Sequence, residues 1–465
     1  MEKKVGLLGL IAMVVGSMIG GGVFELPAEM ARSGRPFSAI IAWSITGLGM
    51  FFVGKVFQTL SNLKPELKDG IYTYSKVGFG KYIGFNSAWG YWLSHLLGNT
   101  SYIVLFIFAL HSFFPQMGGM GTLTGVIISV VMIWGILFII AKSMAVANKL
   151  NTIATIAKIL PVIFAIILLF LCFKLNVFTR DFYGIKEFST GGSTVSSIFS
   201  QVKHGLLATV WTFTGIEGAV VISGRAKNIK DVGRATIVGY IFTLICYILI
   251  VMLSFGALSQ STLEGLQSPA LAGVLGDTYG TFGRVMINVG VIISVLGAWV
   301  AWTIITAEVP MSVAKDKVFP KFLGKELKSG AAINSLVVNA IIMQIAFILS
   351  MFASNAFSQI TSLATLMVLM PYIFSALYLV KLAIQNKKVS HFIYGGIAIT
   401  FCLYALSTAG LAGLSKIFIF YALGIIYIVI TSIENKQKMF EKKWELYLCI
   451  VISIIGILSL IYSFI

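Results

Sequence analysis

Charge is scarce in this chain of 465 residues: only 11% are Asp, Glu, Lys or Arg, against roughly a quarter in an ordinary soluble domain. With 58% hydrophobic residues and a mean hydropathy of +0.95, that scarcity excludes a soluble enzyme, a disordered chain and a disulfide-stabilised secreted mini-protein together. Acidic residues are the rarer sign, 17 against 34 Lys and Arg, for a net charge of +17 at pH 7. In a soluble protein such an excess suggests nucleic acid. Here the bases sit in short loops between apolar runs, and a charge bias of cytoplasmic loops explains them better. Cysteine is also sparse: Cys172, Cys246, Cys402 and Cys449 stand singly in apolar segments, so neither a disulfide framework nor a metal site is indicated. The sequence has no Walker A loop, no HExxH and no Cys/His cluster, which leaves ATP-driven transport and metal chemistry without support.

Apolar runs of about 20 residues, enough to cross a hydrocarbon core of ~30 Å, recur from Val5 to the last residue. Read between charged or Gly/Pro-rich breaks, they predict thirteen spans: 5–32, 37–60, 82–114, 121–141, 150–173, 196–221, 235–258, 281–310, 333–353, 358–383, 392–411, 414–433 and 444–465. The expected fold class is an all-α membrane protein with about 13 transmembrane helices and no extramembrane domain. The first segment has a basic start at Lys3-Lys4, but it is too long for a signal peptide and lacks a small-residue cleavage site, so it is expected to remain in the mature protein. With the N-terminus placed in the cytoplasm, 24 Lys and Arg fall on the inner side and 8 on the outer, with Lys55 and Lys158 inside spans. That split predicts an inner N-terminus and an outer C-terminus. The division of 392–433 rests on Gly410-Leu411-Ala412-Gly413 alone, and a different split there would invert the C-terminus.

Two spans are interrupted half a chain apart. The first contains Gly16-Ser17-Met18-Ile19-Gly20-Gly21-Gly22-Val23-Phe24, and each glycine inside a helix costs roughly 1 kcal/mol relative to Ala. Gly16 and Gly20 also fit the small-xxx-small spacing of close helix packing. The sixth span carries Trp211-Thr212-Phe213-Thr214-Gly215-Ile216-Glu217-Gly218, a second polar, Gly-containing interruption. Paired interruptions at corresponding positions are the best sequence pointer to a secondary transporter's midplane site. Spans one and six would then be matching members of a five-plus-five inverted repeat, 1–173 and 196–383, followed by accessory helices over 392–465. Unwinding frees N–H groups at one half-helix and C=O groups at the other, tolerated at that depth only around a cavity. The N–H groups suit a carboxylate and the carbonyls an ammonium.

These segments resemble the signatures of the amino acid–polyamine–organocation superfamily, and within it the basic amino acid/polyamine antiporter family. Beyond residues 16–24 and 211–219, the resemblance includes AWGYWLSHLLGN at 88–99, RAKNIKDVGRAT at 225–236 and the run from Gly297-Ala298-Trp299 to Val318-Phe319-Pro320. The stretch GFNSAWGYWLS at 84–94 and the thirteenth span are most similar to the arginine/ornithine branch. The resemblance implies a leucine-transporter-type fold with discontinuous helices 1 and 6. It implies that Gly20, Gly21 and Gly22, with Ser17 nearby, receive the substrate carboxylate, and that the carbonyls of Met18, Trp211 and Thr214 receive the α-amino group. It further implies that Asn99 contacts the side-chain end and that Trp299 stacks on a cationic side chain, with Trp302 one turn later as the alternative. Glu217 matches a proton-sensing carboxylate, with Tyr91 and Tyr372 as aromatic gate residues. Compared with arginine/agmatine members, Ser17 stands for an Asn, Gly21 for a Ser, His95 for a Cys and Ala364 for a Ser. These changes bear on side-chain preference rather than on the mode of transport.

Charged residues deep in a span are rare and costly, so each is a functional hypothesis by default. Lys158, in the middle of span five, is implied by the resemblance to occupy the place where sodium-coupled relatives bind sodium; a structural ion pair or a snorkelling lysine is the alternative. Lys55 lies near a span end, where snorkelling accounts for it. Glu217 has no cation beside it in sequence, and capping of a half-helix is compatible with a proton-sensing role. Glu25 and Glu308 lie near span ends and receive no role. His95 shares a helical face with Asn99 at i, i+4 and is a candidate pocket residue, although a lone His is more often a packing residue. His111, His204 and His391 sit near span ends.

The function expected is alternating-access exchange of a cationic amino acid such as arginine for ornithine. Exchange for a decarboxylation product (arginine/agmatine or histidine/histamine) and proton-coupled permeation are the alternatives. A membrane enzyme would need a nucleophile–base pair or metal ligands converging in the spans, and a channel a continuous polar stripe; neither pattern is present. The expected partners are small amino acids (arginine and ornithine, with lysine or histidine as further candidates) and the lipid bilayer, with a homodimer as a candidate assembly. No nucleic acid, cofactor or metal is expected, and the location is the cell membrane.

Overall fold

The structure is a computed structural model that describes residues 6–67, 70–144, 146, 157–184, 194–218, 227–353, 355–436 and 438–462. Val5, residues 150–156 of the expected fifth span, 219–221 of the sixth, Arg225-Ala226 of the 225–236 motif and 463–465 lie outside the described residues, as do the loop cations Lys3, Lys4, Lys68, Lys149, Lys186 and Arg225.

Among the described residues every regular element is helical. The first expected span is two short helices, α1 (Leu7–Met18) and α2 (Leu26–Ser33), separated by a single 3-10 turn at Gly22–Phe24. Pro27 starts α2 at a position where a missing N–H costs nothing. Then follow α3 (Pro36–Leu63), α4 (Ile71–Phe79), α5 (Lys81–Phe113), α6 (Leu123–Lys142), α7 (Ile159–Cys172) and α8 (Thr194–Trp211). The second half comprises α9 (Ile229–Ala257), α10 (Ala270–Lys315), α11 (Ile333–Ser350) and α12 (Ala356–Gln385). Three more complete the chain: α13 (Val389–Thr408), α14 (Gly410–Asn435) and α15 (Lys443–Tyr462).

Two features depart from the sequence reading. The stretch between the second and third expected spans is not wholly a loop: α4 packs on α5 and α12 through Ile71, Tyr72, Tyr74 and Gly78. The eighth span is longer than 281–310, because helix begins at Ala270 and passes through a non-helical residue, Gly280, at φ +65°. In the 392–433 stretch the chain turns at Ala409–Gly410, at the first glycine of the expected Gly410-Leu411-Ala412-Gly413 split, where Gly410 takes φ +63°.

Among the described residues ten helices are long and apolar enough to cross a membrane, α3, α5, α6 and α9–α15. α1 and α7 are shorter apolar helices. The buried centre is α5, whose most apolar stretch is 83% buried, packed by α10, α11 and α12. The opposite extreme is α15, 17% buried, whose exposed side chains include Leu446, Ile454, Ile457 and Leu458. An apolar surface of this extent needs an apolar solvent, as a bilayer supplies.

Candidate functional site

The two interruptions of the sequence meet. α1 ends at Met18 and its helical bonds stop with Ile19 donating to Val15. The N–H groups of Gly20 and Gly21 find no acceptor among the described residues, and the chain resumes bonding when Phe24 donates to Gly21. α8 ends at Trp211 and gives way to turns through Thr212–Glu217. Ser17 joins the two, its hydroxyl 2.8 Å from the carbonyls of both Val14 and Gly215. Gly215 is required there: its φ is +102°, and a Cβ would stand 2.8 Å from the Ser17 carbonyl oxygen.

Two side chains from other helices hold carbonyls freed by these breaks. The Tyr247 hydroxyl on α9 lies 2.8 Å from the Met18 carbonyl and 3.2 Å from that of Thr212. Lys158, 2% exposed, donates from its ammonium to the carbonyl of Gly16. Buried carbonyls without partners cost of order 1–3 kcal/mol each, so these contacts support a break that a helix would otherwise close.

Between the breaks lies a small cavity. Ser17, Met18, Gly20 and Gly22 line it from the first break, Trp211, Thr212 and Thr214 from the second, His95, Gly98, Asn99 and Tyr102 from α5, and Trp302 from α10. None of these carries a fixed charge. The glycines keep the wall thin: a Cβ on Gly20 would stand 2.7 Å from the Tyr102 hydroxyl, and one on Gly21 2.4 Å from Leu105 Cδ1. Asn99 reaches Thr306 Oγ1 only weakly, at 3.4 Å, and its amide oxygen is buried without a partner among the described residues. An orphan acceptor in a cavity wall is a place where a ligand's donor group can bind.

Trp302, not Trp299, reaches the cavity. Trp302 lies against the His95 ring, centroids 4.5 Å apart, whereas Trp299 is wholly buried and absent from the lining. Behind His95 lies Glu217, 1% exposed. Tyr372 donates to its Oε2 at 2.8 Å, Tyr91 to its Oε1 at 3.2 Å, and the Gly215 N–H to Oε2 at 3.2 Å. His95 Nε2 is 3.9 Å from Oε1, and its Nδ1 is 2.7 Å from the Tyr91 carbonyl. The second break, the α5 face and α12 thus converge on one carboxylate.

The remaining expected residues divide. Gly21 backs the wall without lining the cavity, and Ala364 is fully buried outside it, its carbonyl accepting from Ser94. The carbonyls of Met18 and Trp211 already accept, from Tyr247 and from the Thr214 N–H and hydroxyl, so a ligand ammonium would share them. The sequence reading missed Tyr247 and Tyr102. Tyr102 repeats the spacing of His95, Gly98 and Asn99 along one face of α5, a signal that was available; Tyr247, which shares apolar α9 with Tyr240, gave none.

The amino acid permease family model matches residues 5–414. An arginine/agmatine antiporter of Chlamydia pneumoniae is 41% identical, covering 99% of this chain and 96% of that protein. A putative amino-acid transporter of Clostridium perfringens is 38% identical over 100% and 99%. An arginine/ornithine antiporter of Pseudomonas aeruginosa is 38% identical over 94% and 93%.

Proposed function

Since this chain belongs to the amino acid permease family and is a multi-pass membrane protein, we propose that it is a secondary antiporter exchanging a cationic amino acid, arginine, for ornithine. The observation that carries the reading is the single cavity shared by the two breaks, with free N–H groups at one wall, an orphan amide oxygen and an aromatic face at another.

In this reading the carboxylate meets the Gly20–Gly22 backbone, where N–H groups and a helix terminus favour negative charge. The α-ammonium shares the carbonyls of Met18, Trp211 and Thr214. The guanidinium or ammonium end lies between Asn99 and Trp302, whose face attracts a cation by roughly 0.5–2 kcal/mol. Trp302 thereby takes the stacking role first expected of Trp299. Obligatory exchange follows if the empty site cannot reorient with its backbone groups unpartnered, a penalty of a few kcal/mol.

The architecture that fits is thirteen spans with the N-terminus in the cytoplasm, α1/α2 and α8 heading two inverted five-helix units, 1–173 and 196–383, and 392–465 as accessory helices. Lys158 would hold the end of α1 in place of a bound cation, and Glu217 with Tyr91 and Tyr372 would sense protons and gate the site. Exchange of arginine for agmatine is a second reading, favoured by the name of the 41%-identical relative. Agmatine lacks the carboxylate, so this reading leaves the Gly20–Gly22 wall unused on the return step. Counterflow in vesicles loaded with one candidate partner at a time separates the two.

A further inference from the structure

On the outer surface of the helix bundle, α3 and α9 enclose an open groove of about 370 Å³ whose walls are almost entirely apolar, among them Ile40, Leu48 and Phe51 on α3 and Ile241, Leu244 and Met252 on α9. The register of the two antiparallel helices is fixed by three contacts. Tyr240 donates to the Gly47 carbonyl, a Cβ on Gly54 would stand 3.9 Å from Thr236, and one on Gly233 2.5 Å from Gln58. Lys55 and Arg234 therefore lie at the same depth, past the same end of the groove. The Lys55 ammonium sits 5.6 Å from the ring centroid of Phe51, itself a wall residue, and donates to Gln58 Oε1 at 3.0 Å. The Arg234 side chain is 69% exposed, with Asp231 3.9 Å away as its acidic neighbour. Arg234 continues the exposed stripe of Val238, Ile241 and Ile245 along α9.

We propose that this groove is a binding site for one anionic phospholipid, with an acyl chain between α3 and α9 and the headgroup phosphate on Lys55 and Arg234. Charge complementarity selects the occupant. The groove in a bilayer is filled by an acyl chain, and two cations level at one end favour a lipid whose net charge is negative over a zwitterionic one. Lys55, whose stem crosses apolar surface to reach the interface, gains a partner for its charge there. The site is not far from the transport machinery: the helix that forms one wall also carries Tyr247, which holds the Met18 carbonyl.

The test is native mass spectrometry of the detergent-solubilised full chain titrated with palmitoyl-oleoyl phosphatidylglycerol and, separately, with phosphatidylcholine of the same chains. The wild-type protein should retain one phosphatidylglycerol at least tenfold more tightly than phosphatidylcholine. Lys55→Gln and Arg234→Gln should each lower phosphatidylglycerol affinity about fivefold, and together roughly 25-fold, with phosphatidylcholine unchanged. Ser44→Phe, which fills the groove, should weaken both lipids. Lys142→Gln removes a cation stacked on Phe138 of α6, away from the groove, and should change nothing. Equal affinity for the two lipids in the wild type, an undiminished preference in the double variant, or an equal loss in Lys142→Gln would overturn the proposal.

Discussion

The hydroxyl of Tyr247 lies 2.8 Å from the carbonyl oxygen of Met18, the last residue of α1. The same hydroxyl is 3.2 Å from the Thr212 carbonyl, just past the end of α8. One side chain from α9 thus touches the ends of both interrupted helices. A hydroxyl has one proton, so it can favour either carbonyl and pass between them as the two breaks move. Removing it with Tyr247→Phe leaves the Met18 carbonyl short of a donor at a cost of about 1 kcal/mol. Arginine exchange should slow roughly fivefold, with protein yield unchanged. An unaltered rate would make this tyrosine a packing residue.

A Cβ on Gly22 would stand 3.5 Å from Trp211 and 3.6 Å from Thr212, ordinary contacts. Gly22→Ala should therefore keep arginine binding within a few-fold, whereas Gly22→Leu should abolish it by filling the cavity. Wild-type uptake by the leucine variant would remove the site from this break.

Trp302 and Trp299 are three residues apart on α10, but only Trp302 lines the cavity. Trp302→Ala should weaken arginine roughly 2- to 30-fold, the range of a cation–π contact, and a neutral amino acid much less. Trp299→Ala should reduce stability and leave that ratio alone. Calorimetric titration with both ligands reads the difference, and an equal loss for both in Trp302→Ala would end the stacking account.

Lys158→Ala deprives the Gly16 carbonyl of its buried donor. Exchange should fall at least tenfold in vesicles containing equal amounts of protein. Full activity would return the lysine to a structural role. In a parallel variant, Glu217→Gln should retain contacts to Tyr91 and Tyr372 while flattening the pH profile of exchange, and an unchanged profile would exclude proton sensing there.

Much of this site was legible because its parts break local rules. Three glycines in an apolar run and Thr-Gly-Ile-Glu-Gly in another conflict with a continuous helix, and only a shared purpose offsets that cost. The choice between Trp299 and Trp302 was not legible: residues three apart share a helical face about one turn apart, and a sequence does not say which turn meets the cavity. Tyr247 was invisible for another reason, since a tyrosine in an apolar span disturbs no pattern. The ion pairs of Arg35 were hidden by separation in sequence. Arg35, 4% exposed, meets Asp181 at 3.1 Å and Glu264 at 2.8 Å, partners 146 and 229 residues away.

The most direct test of the central claim is uptake of labelled arginine into proteoliposomes preloaded with ornithine, agmatine, histidine or nothing. A carrier that reorients only when loaded should show saturable uptake with ornithine inside and almost none into empty vesicles. Uptake supported by agmatine instead would transfer the site to the second reading. Equal uptake into empty and loaded vesicles would contradict obligatory exchange.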